Sequence, residues 1–322
     1  MPDATPLVAC CRTLPGELRI EGADVRVLGD DRAGPETTPD FVRGAAIIVS
    51  TFHDKIGPEI LEAAGPALRG VCNYAVGFDN IDLAACRERG VTVTNTPDAV
   101  TEGTANMAWL LVMAAARRLI EVDRYARSGD WATGRPLAMG DFMGMDLTGK
   151  TLLIVGAGRI GYATALRALA FGMRIEYVAR TRKVHYEQSP LGARWVSLDE
   201  GLAAADVVSV HTPLSESTRH QIGAREIALM KPDAILVNTA RGPVVDERAL
   251  ADALARGYLW GAGLDVFEHE PKVHPGLVGA KNVVMAPHIG SAEIRWREAM
   301  TVMVAENASA ILEGREPPNR VV

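Results

Sequence analysis

Short apolar runs recur along this chain, separated by stretches whose apolar residues fall at helical spacing. In the first third the runs occupy residues 7–11, 24–28, 45–50, 68–74 and 91–95. Runs of this kind read as buried strands, and an apolar period of about 3.6 residues between them reads as helix, here at 58–64 and 81–89. Residues 29–39 are polar and carry Gly34, Pro35 and Pro39, which marks a loop. Strands alternating with helices imply a mainly parallel sheet with helices on its faces. A long helix is predicted over 101–126, containing the apolar block 108–116. A helix this apolar is expected to be buried, between domains or against another subunit. An irregular Gly-rich segment follows over 128–150.

From Lys150 the alternation resumes. Strands are predicted at 151–155, 174–179, 206–210, 234–238, 262–266 and 282–286, and this spacing matches a doubly wound sheet. A helix over 246–256 has Gly257 just past its end as a stop signal. The last helix, over 293–312, is expected to cross back to the first unit and leave that domain discontinuous. The expected class is α/β, with two Rossmann-like or flavodoxin-like domains built on parallel sheets. One spans 1–98 plus 290–322, the other spans 99–289, and the second is the doubly wound sheet.

Composition narrows the classes. A length of 322 residues suits two domains, and 48% hydrophobic with 23% charged residues is ordinary for a globular protein. The net charge of −6 gives no nucleic-acid footprint. Cys10, Cys11, Cys72 and Cys86 have neither metal-ligand nor redox-motif spacing, so reduced, mostly buried thiols and no metal site are expected. No run approaches the ~18 apolar residues of a membrane span. The start, Met1-Pro2-Asp3-Ala4-Thr5-Pro6, lacks the basic and apolar regions of a signal peptide. A cytoplasmic protein without a membrane partner is the expectation.

The candidate chemistry begins at Gly156-Ala157-Gly158-Arg159-Ile160-Gly161. A GxGxxG between a strand and a helix is a dinucleotide-binding fingerprint. Its first Gly permits the tight turn, its second lets backbone approach a pyrophosphate, and its third lets helix and strand pack closely. The helix N-terminus then faces the phosphate charge. A cofactor lacking a 2′-phosphate usually meets an acidic residue about 20 positions later. Here Arg180 stands 19 residues after Gly161, followed by Thr181, Arg182 and Lys183, while Glu176 lies inside the strand. Guanidinium groups suit a 2′-phosphate, so NADP(H) is the preferred cofactor, with NAD(H) left open.

Arg241, Glu270 and His288 follow the fourth, fifth and sixth strands of this half. Ligands of an open α/β sheet sit outside the carboxyl ends of its strands, so the three are expected to converge although 29 and 18 residues separate them. Reduction of a 2-oxo acid needs a fixed cation for the carboxylate and carbonyl and a proton donor at the oxygen. A carboxylate beside the imidazole orients it. Alternatives stand for each. Arg241 could open a helix, His288 could be a satisfied turn histidine, and Glu268 or His269 could be the true partner.

Over nearly its whole length the chain resembles the D-isomer-specific 2-hydroxyacid dehydrogenases. Within them it is similar to glyoxylate/hydroxypyruvate reductases and their 2-ketogluconate reductase relatives. The matching runs are 73–82, 95–102, 156–161, 238–246, 262–271 and 287–291. The resemblance implies that Arg241 binds the substrate carboxylate and carbonyl, with His288 as acid/base and Glu270 as its partner. It implies a substrate cradle of the Val76 and Gly77 N–H groups with Ser50 nearby. Thr104, Val155, Arg159, Ile160, His211, Thr212, Pro213 and Thr218 would contact the cofactor. Asp265 would hold its nicotinamide side, flanked by Thr239, Ala240 and Gly290. The Arg180-Thr181-Arg182 turn resembles NADPH-preferring members, and the segment around Trp131 resembles a dimerisation loop, so a homodimer is expected. Asn106-Met107, Glu293 and Trp296 depart from the usual pattern. The resemblance admits two further classes. Dinucleotide-sensing corepressors normally carry extra terminal segments, and a stop at Val322 shortly after the expected crossover helix is expected to count against them. Formate enzymes place Gln-Pro where Glu270-Pro271 stands, and phosphite enzymes place Lys within the loop that here reads Ala75-Val76-Gly77.

Overall fold

Parallel strands carry both halves of the chain. The computed structural model describes residues 5–28, 39–134 and 137–322. The loop expected at 29–39 falls almost wholly outside these, as do residues 1–4 of the N-terminal segment. The chain divides into two units, Met1–Gly103 with Ser291–Val322, and Thr104–Gly290.

The first unit holds β1 (Leu7–Cys10), β2 (Asp24–Val27), β3 (Ala45–Ser50), β4 (Gly70–Asn73) and β5 (Thr92–Thr94), all parallel in the order β2-β1-β3-β4-β5. Every residue of β3 and β4 is buried, as a parallel sheet covered on both faces requires. Helices α1 (Pro39–Val42), α2 (Pro58–Ala64) and α3 (Leu83–Glu88) connect the strands. The Asp82 side chain caps α3 by accepting from the Ala85 N–H at 3.0 Å. All four cysteines are buried in this unit and form no disulfide. Burial pushes the Cys72 thiol up to about 12 and the Cys86 thiol up to about 11.

The single helix predicted over 101–126 is two helices, α4 (Thr101–Ala116) and α5 (Leu119–Arg127). They part at Arg118, whose φ of 51° lies in the left-handed region and whose guanidinium pairs with Glu121 at 2.6 Å. Hydrophobic patterning does not register a two-residue break of this kind.

The second unit holds β6 (Thr151–Val155), β7 (Arg174–Val178), β8 (Arg194–Trp195), β9 (Val207–Val210), β10 (Ile235–Asn238), β11 (Gly261–Leu264) and β12 (Val283–Met285). Their order is β12-β11-β10-β9-β6-β7-β8, all parallel, with the reversal of strand order at β6 and β9. The apolar pattern predicts six strands here. The seventh, β8, is two residues long and is held by Arg194, which donates to the buried Glu176 of β7 at 2.6 Å. Helices α6 (Arg159–Ala170), α7 (Val184–Glu187), α8 (Leu198–Ala204), α9 (Ala224–Leu229), α10 (Glu247–Ala255) and α11 (Pro275–Val278) complete the unit. The apolar block of α4 needs no second subunit for most of its burial. Ala108, Leu111, Val112, Ala115 and Ala116 are all buried in this unit's core. A Cβ at Gly263 of β11 would come within 2.7 Å of the Leu111 Cβ, so glycine permits the close approach of helix and sheet. Leu110 is the exception, 54% exposed. The last helix, α12 (Ile294–Leu312), packs on β3, β4 and β5 of the first unit.

Register fixes where chemistry can occur. Val155, Val178, Val210, Asn238, Leu264 and Met285 form one row of paired residues across six strands. The residues that follow them leave the sheet along the same carboxyl edge.

Candidate active site

Asn238 ends β10 and shapes the turn after it. Its side-chain amide donates to the Arg241 carbonyl at 2.9 Å and its oxygen accepts from the Ala240 N–H at 3.0 Å. Arg241 is half-buried, and its guanidinium donates to the Ala240 carbonyl at 2.8 Å. Gly242 then lies directly on the turn after β11, where a Cβ would sit 1.9 Å from the Phe267 carbonyl carbon. Two carboxylates join the same turns. Glu268 accepts from the Glu247 N–H at 2.9 Å, while Glu247 accepts from the Glu268 N–H. Glu268 also meets His220 Nε2 at 3.0 Å. Glu268 is therefore committed to holding the turn, and the candidate partner of His288 resolves to Glu270.

Glu270 Oε2 lies 2.8 Å from His288 Nδ1, and its Oε1 accepts from the Phe267 N–H at 3.0 Å. His288 has φ of 55°, a left-handed conformation held by its N–H bond to the Asp265 carbonyl at 2.8 Å. Burial raises the Glu270 pKa, but the bond and charge of His288, the Phe267 N–H and the Arg241 charge outweigh it. The carboxyl is held below the ordinary range. Nδ1 is thus the nitrogen that faces Glu270.

Asp265 is 1% exposed and accepts from the N–H groups of Ile289 and Gly290 at 2.8 and 2.7 Å. Burial raises its pKa against the pull of those donors. A Cβ at Gly290 would come 2.8 Å from Asp265 Oδ2 and 3.5 Å from Thr104 Cγ2, which brings those three residues together.

The Gly-rich turn has the geometry expected of each glycine. Gly156 has φ of 101°, and a Cβ there would reach 2.7 Å from the His211 carbonyl carbon of the neighbouring strand end. A Cβ on Gly161 would meet Ile154 at 2.7 Å and Tyr186 Oη at 3.0 Å. Over Gly158 there is open space. Arg159 and Ile160 open α6 directly behind that space. Tyr186 donates to the Gly158 carbonyl at 2.8 Å, a support the sequence did not disclose. Burial pushes the His211 imidazole down to about 3, so it is neutral, and its Nε2 lies 2.9 Å from Ser209 Oγ. Thr212 donates to Gln221 at 3.1 Å, and the Thr218 hydroxyl donates to the Pro213 carbonyl at 2.7 Å. Thr239 Oγ1 is buried with no hydrogen-bond partner among the described residues. A dinucleotide fits this arrangement, with room over Gly158 for phosphates and a polar group awaiting a partner at the β10 end. Among the described residues no group of His, Cys, Asp and Glu could hold a metal ion.

After β7 the turn carries Arg180, Thr181 and Arg182, all exposed. No carboxylate of β7 reaches it, because Glu176 is spent on Arg194. Arg182 is itself paired with a carboxylate. Its Nε lies 2.8 Å from both oxygens of Glu187 and its terminal nitrogen 2.5 Å from one. Among the described residues Arg180 takes part in no such ion pair.

In the first unit, Asn73 donates to the Gly77 carbonyl at 2.7 Å and Asn95 to the Val76 carbonyl at 2.8 Å. With both carbonyls turned onto side chains, the Val76 and Gly77 N–H groups have no partner among the described residues. Ser50 is fully buried and donates to Asn73 at 3.0 Å, so it supports this loop from beneath. Asn106, one of the departures from the family pattern, accepts from Arg167 at 2.6 Å and ties α4 to α6. Trp131 is 61% exposed.

Residues 109–290 match the family described as D-isomer specific 2-hydroxyacid dehydrogenase, NAD binding domain. A glyoxylate reductase of Thermococcus litoralis is 46% identical over 303 residues, covering 92% of this chain and 90% of the relative. Among solved structures, a Thermus thermophilus protein has a TM-score of 0.89 at 45% identity, covering 98% of this chain and 100% of its own. An NADPH-dependent glyoxylate/hydroxypyruvate reductase from Sinorhizobium meliloti, solved with NADP and malonate, has a TM-score of 0.83 at 31% identity, covering 99% and 97%.

Proposed function

The chain belongs to the D-isomer specific 2-hydroxyacid dehydrogenase family, and from that premise we propose that it reduces glyoxylate, hydroxypyruvate and related 2-oxo acids to D-2-hydroxy acids, with NADPH preferred and NADH usable. The observation that carries this reading is the His288–Glu270 pair, 2.8 Å apart, on the same strand edge as Arg241 and the Gly156–Gly161 turn. The activity named for the relatives agrees with it.

When bound, the nicotinamide supplies the hydride that reaches the carbonyl carbon. Arg241 holds the substrate carboxylate and polarises the carbonyl, which stabilises negative charge developing on its oxygen. His288 delivers the Nε2 proton to that oxygen, giving the hydroxyl. Glu270, bonded at Nδ1, fixes the ring and stabilises the charge it carries before transfer. Asp265 holds the Ile289 and Gly290 backbone, which would flank the nicotinamide. The preference for NADPH rests on Arg180, since one charge-assisted bond is worth about 1.5–3 kcal/mol, or roughly ten- to a hundredfold. A homodimer in the cytoplasm completes the reading, supported by the exposed apolar residues near Trp131 and by four cysteines that form no disulfide.

A panel of glyoxylate, hydroxypyruvate, 2-ketogluconate and phenylpyruvate, each with NADPH and NADH, tests it through loss of reduced-nicotinamide absorbance. Turnover of glyoxylate and formation of D-glycerate from hydroxypyruvate are expected, with kcat/KM higher for NADPH. L-Glycerate, or no cofactor consumption across the panel, would overturn it.

A further inference from the structure

The turn after β7 carries two arginines, and one of them is held by a carboxylate. Arg182 is gripped by Glu187 through three contacts of 2.5–2.8 Å, and Glu187 is itself fixed because Tyr177 Oη donates to its Oε1 at 2.7 Å. Tyr177 is fully buried in β7 and also accepts from the Lys183 N–H at 2.8 Å. The far end of the turn is thus bolted to the sheet through one phenol. Next to Glu187 on α7, Tyr186 packs 4.9 Å from Tyr177, ring to ring, and reaches the Gly158 carbonyl. Glu187 is held below the ordinary carboxylate range, first by the Arg182 bond and then by the Tyr177 bond, so it is charged at neutral pH.

We infer that Glu187 is a specificity-determining residue for the cofactor: by engaging Arg182 it withholds one guanidinium of the Arg180–Arg182 turn from the ribose 2′-phosphate and so limits the preference for NADPH over NADH. The inference rests on reading this turn as the 2′-phosphate site. Arg182 and Glu187 together contribute no net charge there, which leaves Arg180 as the guanidinium without a carboxylate partner among the described residues. Loss of the carboxylate frees a positive charge and removes a negative one, and both changes favour a dianionic phosphate over a ribose hydroxyl. Both groups lie near solvent, so the gain is modest and salt-sensitive.

The experiment is a mutant cycle of the full-length enzyme: wild type, Glu187→Gln, Arg182→Gln and the double variant, with Arg180→Gln alongside. The readout is the ratio of kcat/KM for NADPH to that for NADH on glyoxylate, at low and high salt. Glutamine keeps the oxygen that accepts from Tyr177, so the NADH value serves as the control for an intact fold. Glu187→Gln is expected to raise the ratio about two- to fivefold at low salt, through a lower KM for NADPH alone. Arg182→Gln is expected to lower it, and the double variant to return it to within about twofold of wild type. An unchanged ratio in Glu187→Gln, an equal loss with both cofactors, or a gain that persists without Arg182 would overturn the inference. Arg180→Gln separates the two levels. A changed ratio there with none in Glu187→Gln overturns only the role of Glu187. No change there with an Arg182-dependent gain in Glu187→Gln supports that role and removes Arg180 from the phosphate site. No change in either variant removes both.

Discussion

His288 sits between two carboxylates with opposite tendencies. Glu270, bonded to its Nδ1, is held below the ordinary range, whereas burial raises Asp265, whose carbonyl receives the His288 N–H. Glu270 therefore keeps its charge at neutral pH and loses it only as pH falls through its depressed value. Glu270→Gln keeps an oxygen for the Phe267 N–H and removes the charge beside His288 Nδ1. The kcat for glyoxylate reduction should fall by about tenfold or more in this variant, while dinucleotide affinity stays nearly unchanged. Steady-state kinetics beside a dinucleotide titration check this, and a wild-type kcat in the variant would detach Glu270 from the proton donor. In His288→Ala, turnover should drop by roughly 10²–10⁴ with dinucleotide affinity nearly unchanged, read by single-turnover kinetics and fluorescence titration.

Two turns, after β10 and β11, act as one element because nothing but hydrogen fits at Gly242. Gly242→Ala would drive a methyl into the Phe267 peptide, 1.9 Å away, and Arg241 is the adjacent residue. A loss of about 1–3 kcal/mol in stability is expected, together with a fall in kcat. Gly158→Ala makes the contrast, since nothing lies within 4 Å of its would-be Cβ. Its denaturation midpoint should stay put while dinucleotide affinity falls, and paired urea melts and titrations distinguish the two glycines. The strands and the three convergent residues are legible in the sequence because a buried parallel sheet needs apolar runs and because successive strand ends share an edge. The break at Arg118 is not legible, for it costs one positive φ and no change of polarity. Nor is β8, which two residues and one ion pair create. Glu187, Tyr177 and Tyr186 leave no trace in the pattern because their partners are tertiary: an acid on a four-residue helix carries no periodicity of its own. Basic spacing alone likewise counts Arg182 as an available cation.

At the scale of the whole molecule, the apolar residues left exposed between α4 and β6 bear on assembly. Leu110, Leu119, Trp131, Met139 and Met143 are 46–99% exposed. Association of two copies would cover apolar side chains of this kind. Sedimentation at micromolar concentration should give a dimer, and Trp131→Asp with Met139→Asp should shift it toward monomer; a wild-type monomer would remove assembly from the reading. The placement of the thiols has a different bearing. Cys10, Cys11, Cys72 and Cys86 all belong to the unit Met1–Gly103 with Ser291–Val322, and the chain's four cysteines leave none for Thr104–Gly290. Alkylating reagents attack the thiolate, which burial disfavours at Cys72 and Cys86. The protein therefore carries its own reporter of opening, silent while one unit is closed and blind to the other. A dinucleotide bound to Thr104–Gly290 lowers the population in which that unit is unfolded. If labelling by iodoacetamide slows when the dinucleotide is added, the two units open as one cooperative body; if its rate is indifferent, the thiol-bearing unit breathes alone.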